Sequence, residues 1–117
     1  MDDCWPHKIY EVLNIGVHLS DAGVNNWALT KDQALMALEK FLKLDIPILG
    51  GDVYEYKNGI IESNYNNWYC DPDERETNSE YVRRSIEKAI KYIQEYKVNE
   101  NYKIYFVLIP EPEPRKN

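Results

Sequence analysis

Residues 52–64, with the sequence DVYEYKNGIIESN, decide the fold class of this chain. Two runs rich in apolar and aromatic residues flank Asn58-Gly59, and both of these residues tolerate the positive φ angles of a type I′ turn. The stretch therefore predicts a tight antiparallel hairpin, with strands over 52–56 and 60–64.

Further strands are predicted on either side of the hairpin. Residues 46–49 form a short apolar run, and residues 102–109 are nearly all apolar, β-branched or aromatic, as in a strand covered on both faces. Gly50-Gly51, between the first run and the hairpin, indicates a bulge or a close approach of two backbones. The predicted sheet is mainly antiparallel, with three or four strands.

Two helices are predicted from the residues that begin them. Thr30 with Gln33, and Thr77 with Glu80, have the spacing of a capping box, in which each side chain bonds the other residue's free backbone N–H. Apolar residues recur at every third or fourth position after each box, which is the helical period. These helices should end near residues 44 and 96, and a shorter helix is predicted after Pro6.

Together these elements predict an α+β fold, in which two or three helices pack on the sheet. Segments 20–28 and 64–78 are polar and are predicted as loops, the second of them studded with aromatic residues. We expect a single domain over residues 1–109, followed by an extended Pro/Glu-rich tail over residues 110–117.

The charge of the chain restricts its partners. The sequence holds 14 Lys and Arg against 20 Asp and Glu, a net charge of −6. Nucleic acids and anionic membranes are poor partners for such a chain, because binding to them is driven by clustered basic residues. A basic protein is a good partner, since opposite charge speeds encounter. Ten tyrosines and three tryptophans also suit a protein interface, a homodimer included.

The cysteines and histidines predict neither a metal site nor a nucleophile. Cys4, His7, His18 and Cys70 could make a zinc set, but only the first two have paired spacing. Cys70 stands beside Asp71, and a neighbouring carboxylate opposes thiolate formation. No cofactor, metal or catalytic residue is predicted. The sparse cysteines, and the absence of a signal-peptide pattern or a transmembrane run, lead us to expect a cytoplasmic protein.

The hairpin places two carboxylates opposite each other. If Asn58-Gly59 is a two-residue turn, Glu55 opposes Glu62, and like charges in that position repel. Three interpretations remain open: the pair faces water with Lys57 nearby, it receives a basic partner, or it is an acid/base pair as in a glycosidase.

The segment Tyr65–Glu74 mixes aromatic rings with the carboxylates of Asp71, Asp73 and Glu74. This composition is typical of a contact patch for a cationic protein. The alternative is that Trp68 and Tyr69 turn inward while the acids stay solvated.

Several strings of this sequence resemble one known family. They are PILGGDVY at 47–54, YxxWYCD at 65–71, a helix bearing Tyr81 and Ser85, and YFVL at 105–108. Across roughly residues 5–109 the chain resembles Immunity protein 40, a family of bacterial polymorphic toxin systems. The resemblance implies an α+β, non-enzymatic protein made beside a secreted or contact-delivered toxin, which it binds and blocks in the producer's cytosol.

We therefore predict an immunity protein that neutralises a cognate toxin domain, expected to be basic, by occluding its active site or substrate path. The predicted partner-binding residues are Trp27, Asp52, Glu55, Glu62, Trp68, Tyr69, Asp71, Asp73 and Glu74. One alternative is a small hydrolase or lyase, which would need a concave pocket around Asp52 or Glu55 with a raised carboxyl pKa. Another is an interaction or adaptor module without a toxin partner.

Overall fold

The main sheet is built around the hairpin. The computed structural model describes residues 5–98 and 102–112. In chain order the elements are α1 (His7–Leu13), β1 (Val17–His18), a 3₁₀ turn (Ser20–Ala22), β2 (Trp27–Ala28), α2 (Lys31–Lys43), β3 (Ile48–Lys57), β4 (Ile60–Tyr69), α3 (Asn78–Glu95) and β5 (Lys103–Pro110). Strands β4, β3 and β5 form one antiparallel sheet in that order, with β3 in the middle. The predicted α+β fold is confirmed.

The hairpin turn and its register follow from local sequence. Asn58 and Gly59 have φ angles of 55° and 83°, as a type I′ turn requires. Glu55 pairs with Glu62, and Lys57 pairs with Ile60. The predicted opposition of the two carboxylates is therefore confirmed.

The strands are longer than predicted. The apolar run at 46–49 and the first hairpin strand are one continuous strand, β3, and residues 65–69 belong to β4 rather than to a loop. Gly50 and Gly51 make this possible, because a Cβ on Gly51 would overlap the Trp68 ring and one on Gly50 would overlap the Trp68 carbonyl. The register against β5 also shifts between Ile48 and Gly50. Both the predicted close approach and the predicted irregularity are confirmed.

Helices α2 and α3 cover one face of the sheet. Both predicted capping boxes form, with Thr30 and Thr77 as the N-caps. The shared core contains side chains from both helices, from α1 and from the sheet, among them Leu13, Leu38, Phe41, Val53, Ile86, Ile93, Phe106 and Leu108. Removing this apolar surface from water is the main stabilisation of the fold.

Two residues of α3 fasten this helix to the sheet. Tyr81 is fully buried, and its hydroxyl donates to the Cys70 carbonyl at 2.6 Å. Burial raises the pKa of Tyr81 to about 12, so this hydroxyl stays a donor. Ser85 Oγ accepts from the Ile48 N–H at 3.0 Å. Tyr81 and Ser85 therefore satisfy backbone groups that burial would otherwise leave unpaired.

The other face of the sheet is partly covered by segment 17–29. The prediction of a loop over residues 20–28 is wrong at its end, because Trp27 and Ala28 form β2 and pair with β1. Leu29 then bridges to Phe106 of β5. A second apolar cluster lies under this segment and includes Leu19, Tyr54 and Val107.

The end of the sheet lies one residue beyond the predicted boundary. Strand β5 ends at Pro110, and the Glu111 N–H donates to the Pro47 carbonyl at 2.9 Å. Residues 113–117 of the predicted tail lie outside the described residues. Within the described part of the chain, no helix is both long enough and apolar enough to cross a bilayer.

Candidate interaction surface

Strand β4 is an outer strand of the sheet and is interrupted by a bulge. Asp52 pairs with Asn67, and Tyr54, two residues later on β3, pairs with Ser63. Residues 64–66 of β4 therefore have a single residue of β3 opposite them, and they bulge. At the centre of the bulge Tyr65 has a φ angle of 70°, in the left-handed region, and 87% of its surface is exposed.

Neighbouring side chains satisfy the backbone of the bulge. The Tyr65 N–H donates to Ser63 Oγ at 3.0 Å, and the Asn66 N–H donates to Asn64 Oδ1 at 3.0 Å. Asn67 Nδ2 donates to the Tyr65 carbonyl at 3.2 Å. Short polar side chains commonly bond nearby backbone groups in this way, in competition with sheet pairing.

A tyrosine just after α3 holds the bulge from the helix side. The Tyr96 hydroxyl accepts from Asn64 Nδ2 at 2.9 Å and from Asn66 Nδ2 at 2.8 Å. Asn64 Nδ2 also donates to Glu55 Oε2 at 3.1 Å. The bulge is thus tied both to α3 and to the hairpin.

The two opposed hairpin carboxylates occupy different environments. Glu55 is half-buried and bonded to Asn64, whereas Glu62 is exposed. The amide of Asn64 relieves part of the repulsion between the two charges. Glu55 lies on the central strand β3 and Glu62 opposite it on β4, and Asn64 joins Glu55 to the bulge.

Asp52 lies on the opposite face of the sheet, across from Asn67. Its side chain is half-buried, and burial raises the pKa of its carboxyl above the ordinary 3.8. In the described part of the chain no hydrogen bond or ion pair reaches this carboxylate. Burial, and after it the charge of Asp52, raises the pKa of Tyr54. A partly desolvated, unpaired carboxylate is suited to receive a cation from another molecule.

Trp68 and Tyr69 point in different directions. Trp68 is 6% exposed and stacks on Tyr92 with ring centroids 4.6 Å apart. Tyr69 is 66% exposed; its carbonyl accepts from Lys88 Nζ at 2.6 Å, and its ring lies 5.7 Å from that cation. Trp68 is therefore part of the core, whereas Tyr69 is displayed at the surface.

The acidic segment after β4 is held by Arg84 of α3. This guanidinium bonds both carboxylate oxygens of Glu76, at 2.5 and 2.8 Å, and the Asp71 carbonyl at 2.7 Å. The hydrogen bond with Glu76 raises the pKa of Arg84 above its ordinary value, so the guanidinium stays charged. The carboxylates of Asp71, Asp73 and Glu74 stay exposed beside this clamp.

Trp27 is not part of the same surface. Its half-buried ring packs between Tyr10 and His18, with centroid distances of 5.6 and 4.7 Å. Trp27 belongs to β2, and Leu29, directly after β2, bridges to Phe106 of β5. Strands β5 and β4 lie on opposite sides of the central strand β3. The fold thus gathers Asp52, Glu55, Glu62 and Tyr69 around β4 and leaves Trp27 at the other edge.

Sequence reasoning includes Tyr65 in the predicted contact segment 65–74 but does not single it out, and it misses the bulge that carries this residue. A signal was present in the run Ser63-Asn64-Tyr65-Asn66-Asn67, which breaks the alternation of a strand. Ser and Asn bond their own local backbone, and Asn tolerates left-handed conformations. The signal indicated an irregularity but not which side chain it would expose.

The described residues bring no metal-binding cluster to this surface. Four open grooves have volumes of about 330–460 Å³; Glu62 borders one of them and Asp73 another, and none of the four is lined by Asp52, Glu55 or Tyr65. Across residues 5–98 and 102–112, no cluster of three His, Cys, Asp or Glu side chains could hold a metal. Of the zinc set considered above, His7 contacts Glu11 and His18 bonds Asn25 and the Ser20 N–H, while Cys4 lies outside the described residues.

Comparison with models of known protein families gives a match to most of this chain. A family model described as Immunity protein 40 matches residues 18–110, which include the whole main sheet, α2 and α3. No curated protein and no solved structure matches the chain.

Proposed function

We propose that this chain, which belongs to the Immunity protein 40 family, binds a cognate toxin domain and neutralises it without catalysis of its own. An immunity role with a toxin as partner follows from the family. The finer parts are proposals: the toxin is blocked by occlusion of its active site or substrate path, and this happens in the cytoplasm of the producing cell. The match over residues 18–110 is the observation that carries the proposal.

We place the contact on the β4 side of the sheet and name it the bulge surface. It consists of Asp52, Glu55, Glu62, Tyr65, Asn67 and Tyr69. Two exposed aromatic rings of β4 lie here, with Glu55 and Glu62 on one face of the sheet and Asp52 on the other. None of these three carboxylates has a cation as its hydrogen-bond partner in the described part of the chain. Aromatic rings anchor interfaces, while charged groups steer the encounter. An interface of ordinary size would bury about 800 Å² on each partner.

The acidic segment next to this surface has a different proposed role. Asp71, Asp73 and Glu74 are exposed and are held in place through the contacts of Arg84 with Asp71 and Glu76. Exposed charges at the rim of an interface change association rates more than they change dissociation rates. We therefore propose that this segment attracts a basic toxin domain, and Trp68 supports the surface from beneath rather than touching the partner.

The test is co-expression with the toxin domain encoded by the neighbouring gene, followed by size-exclusion chromatography and a growth assay. Direct immunity predicts a stoichiometric complex and rescued growth. If the neighbouring protein is toxic but is neither bound nor rescued, the proposal fails. If the neighbour is not toxic at all, the adaptor alternative replaces it.

Charge reversal then locates the surface. Lysine substitutions at Asp71, Asp73 and Glu74 should slow association with the toxin domain more than they speed dissociation. The matched control reverses three acids of the helical side, Glu11, Asp32 and Glu39, which changes the net charge equally. Equal slowing by both triple variants would show that only the total charge matters and that the acidic segment has no special role.

A further inference from the structure

Tyr65 is held in a conformation that tyrosine does not favour. Its φ angle of 70° lies in the left-handed region, where a side chain with a Cβ is strained. Burial does not compensate for this strain, because 87% of the residue is exposed, and in the described part of the chain no other ring packs against it. The compensation comes from the hydrogen bonds of Ser63, Asn64, Asn66 and Asn67. Strain that is maintained by surrounding contacts commonly marks a functional position.

The same hydrogen bonds decide how β4 can be used by a partner. An outer strand of ten residues would ordinarily offer its free N–H and C=O groups to another strand. Here the N–H and C=O of Tyr65 and the N–H of Asn66 are already bonded to side chains of β4 itself. Strand addition across the centre of β4 is therefore blocked, and the bulge offers a side chain to a partner instead of a backbone edge.

The surroundings of the ring indicate the chemistry of its partner. On one face of the sheet, Asn67 bonds the Tyr65 carbonyl and pairs with Asp52 of β3. On the other face, Asn64 of the bulge bonds Glu55, which pairs with Glu62. Carboxylates therefore lie on both faces of the sheet next to the bulge, and an exposed aromatic ring in such surroundings fits a pocket with apolar walls and a basic rim.

We propose that Tyr65 is the anchor of the bulge surface and inserts into such a pocket on the toxin domain; this inference rests on the function proposed above. The bulge fixes the backbone from which the ring projects before binding. Little backbone entropy is then lost on association, and a fully desolvated aromatic anchor carries a large share of the binding energy.

The test measures the dissociation constant of the purified chain with the purified toxin domain encoded by the neighbouring gene. Tyr65→Gly removes the ring and also relieves the backbone strain, because glycine adopts positive φ freely. We expect affinity to fall by about 30-fold or more, the loss that defines an anchoring residue, while the thermal midpoint stays equal or rises. Tyr65→Phe, which keeps the ring, should bind within about threefold of the original chain.

Asn58→Gly is the matched control. It also places glycine at a positive φ angle, 55°, but in the hairpin turn, and it should leave affinity unchanged. The proposal is overturned if Tyr65→Gly binds as well as the original chain, or if Tyr65→Phe loses as much affinity as Tyr65→Gly. A dimer of the chain alone that Tyr65→Gly dissociates would assign the ring to a second copy and would also overturn it.

The outcomes separate this inference from the proposed function. If the original chain binds and neutralises the toxin domain and Tyr65→Gly does so equally well, only the anchor is wrong. If the original chain does not bind the toxin domain, both proposals fail.

Discussion

Replacing Tyr96 with phenylalanine removes a single hydroxyl that holds two parts of the bulge. Asn64 Nδ2 and Asn66 Nδ2 both donate to this oxygen, at 2.9 and 2.8 Å. The ring itself remains in place, because its edge-on contact with Phe106, at a centroid distance of 5.6 Å, does not involve the hydroxyl. The substitution therefore tests whether the hydrogen bonds from α3, rather than packing, keep the bulge in shape.

The magnitude follows from the two bonds. A neutral hydrogen bond contributes about 0.5–1.5 kcal/mol net, so two bonds contribute at most about 3 kcal/mol. The bond from Asn66 is exposed and the bond from Asn64 is only part-buried, which favours the lower half of that range. We expect Tyr96→Phe to lower the free energy of unfolding by about 1–2 kcal/mol, and the thermal midpoint by roughly 4 °C for each kcal/mol in a domain of this size.

Urea denaturation and amide hydrogen exchange measure this effect. Exchange at the backbone N–H of Tyr65 and Asn66 should accelerate more than exchange in the centre of β3, since the perturbation is local. The control is Tyr92→Phe, one turn earlier on α3: in the described residues the Tyr92 hydroxyl has no hydrogen bond, so its loss should cost little.

Equal stability of Tyr96→Phe and Tyr92→Phe would refute this reasoning. So would a stability loss in Tyr96→Phe without faster exchange at the bulge, because the hydroxyl would then act on the helix end alone. If the bulge loosens as expected, affinity for the toxin domain should fall as well, since the backbone that carries Tyr65 would no longer be fixed in advance of binding.

Three further substitutions test the sheet and its charge. Gly51→Ala should cost about 1–3 kcal/mol or more by overpacking, because its Cβ would overlap the Trp68 ring; unchanged stability in urea would show that the ring can shift. Ser85→Ala should cost about 1–3 kcal/mol and speed exchange at Ile48, whose buried N–H loses its acceptor, and normal exchange there would contradict this. Asp52→Asn should be more stable than the original chain at neutral pH. Burial raises the pKa of the Asp52 carboxyl above 3.8, so the folded state binds this proton more tightly than the unfolded state does. The original chain therefore loses stability as pH rises through the raised pKa, whereas the Asn variant does not. The difference should vanish below about pH 3.8, and binding to a basic toxin domain should weaken; a gap that persists at low pH would indicate a cause other than charge.

Local sequence predicted the elements whose causes are local. The Asn58-Gly59 turn and the two capping boxes, at Thr30 and Thr77, each depend on residues within four positions of one another, and all three form as expected. The α+β class followed from these elements and from the apolar period of the helices. The resemblance to the Immunity protein 40 family was also visible in the sequence, and the family match bears it out.

The candidate surface could be predicted only in part. The sequence predicts a loop over residues 65–69, because Asn suits turns and the aromatic residues there follow no clear alternation. Pairing with β3 made them a strand, which divided Trp68 from Tyr69. Whether each of these side chains is buried depends on the face of the sheet to which it points. A shift of the strand register by one residue would move every side chain of β4 to the opposite face.

The sequence by itself determined the fold class, the hairpin register and the starts of the long helices, because nearest neighbours along the chain decide turns and caps. Only the tertiary structure decided the length of β4, the exposure of Tyr65 and the environment of Glu55. The decisive contacts join residues far apart in the chain: Tyr96 bonds Asn64 across 32 positions. Such contacts form only after the helix and the sheet have packed together, and no local pattern specifies them.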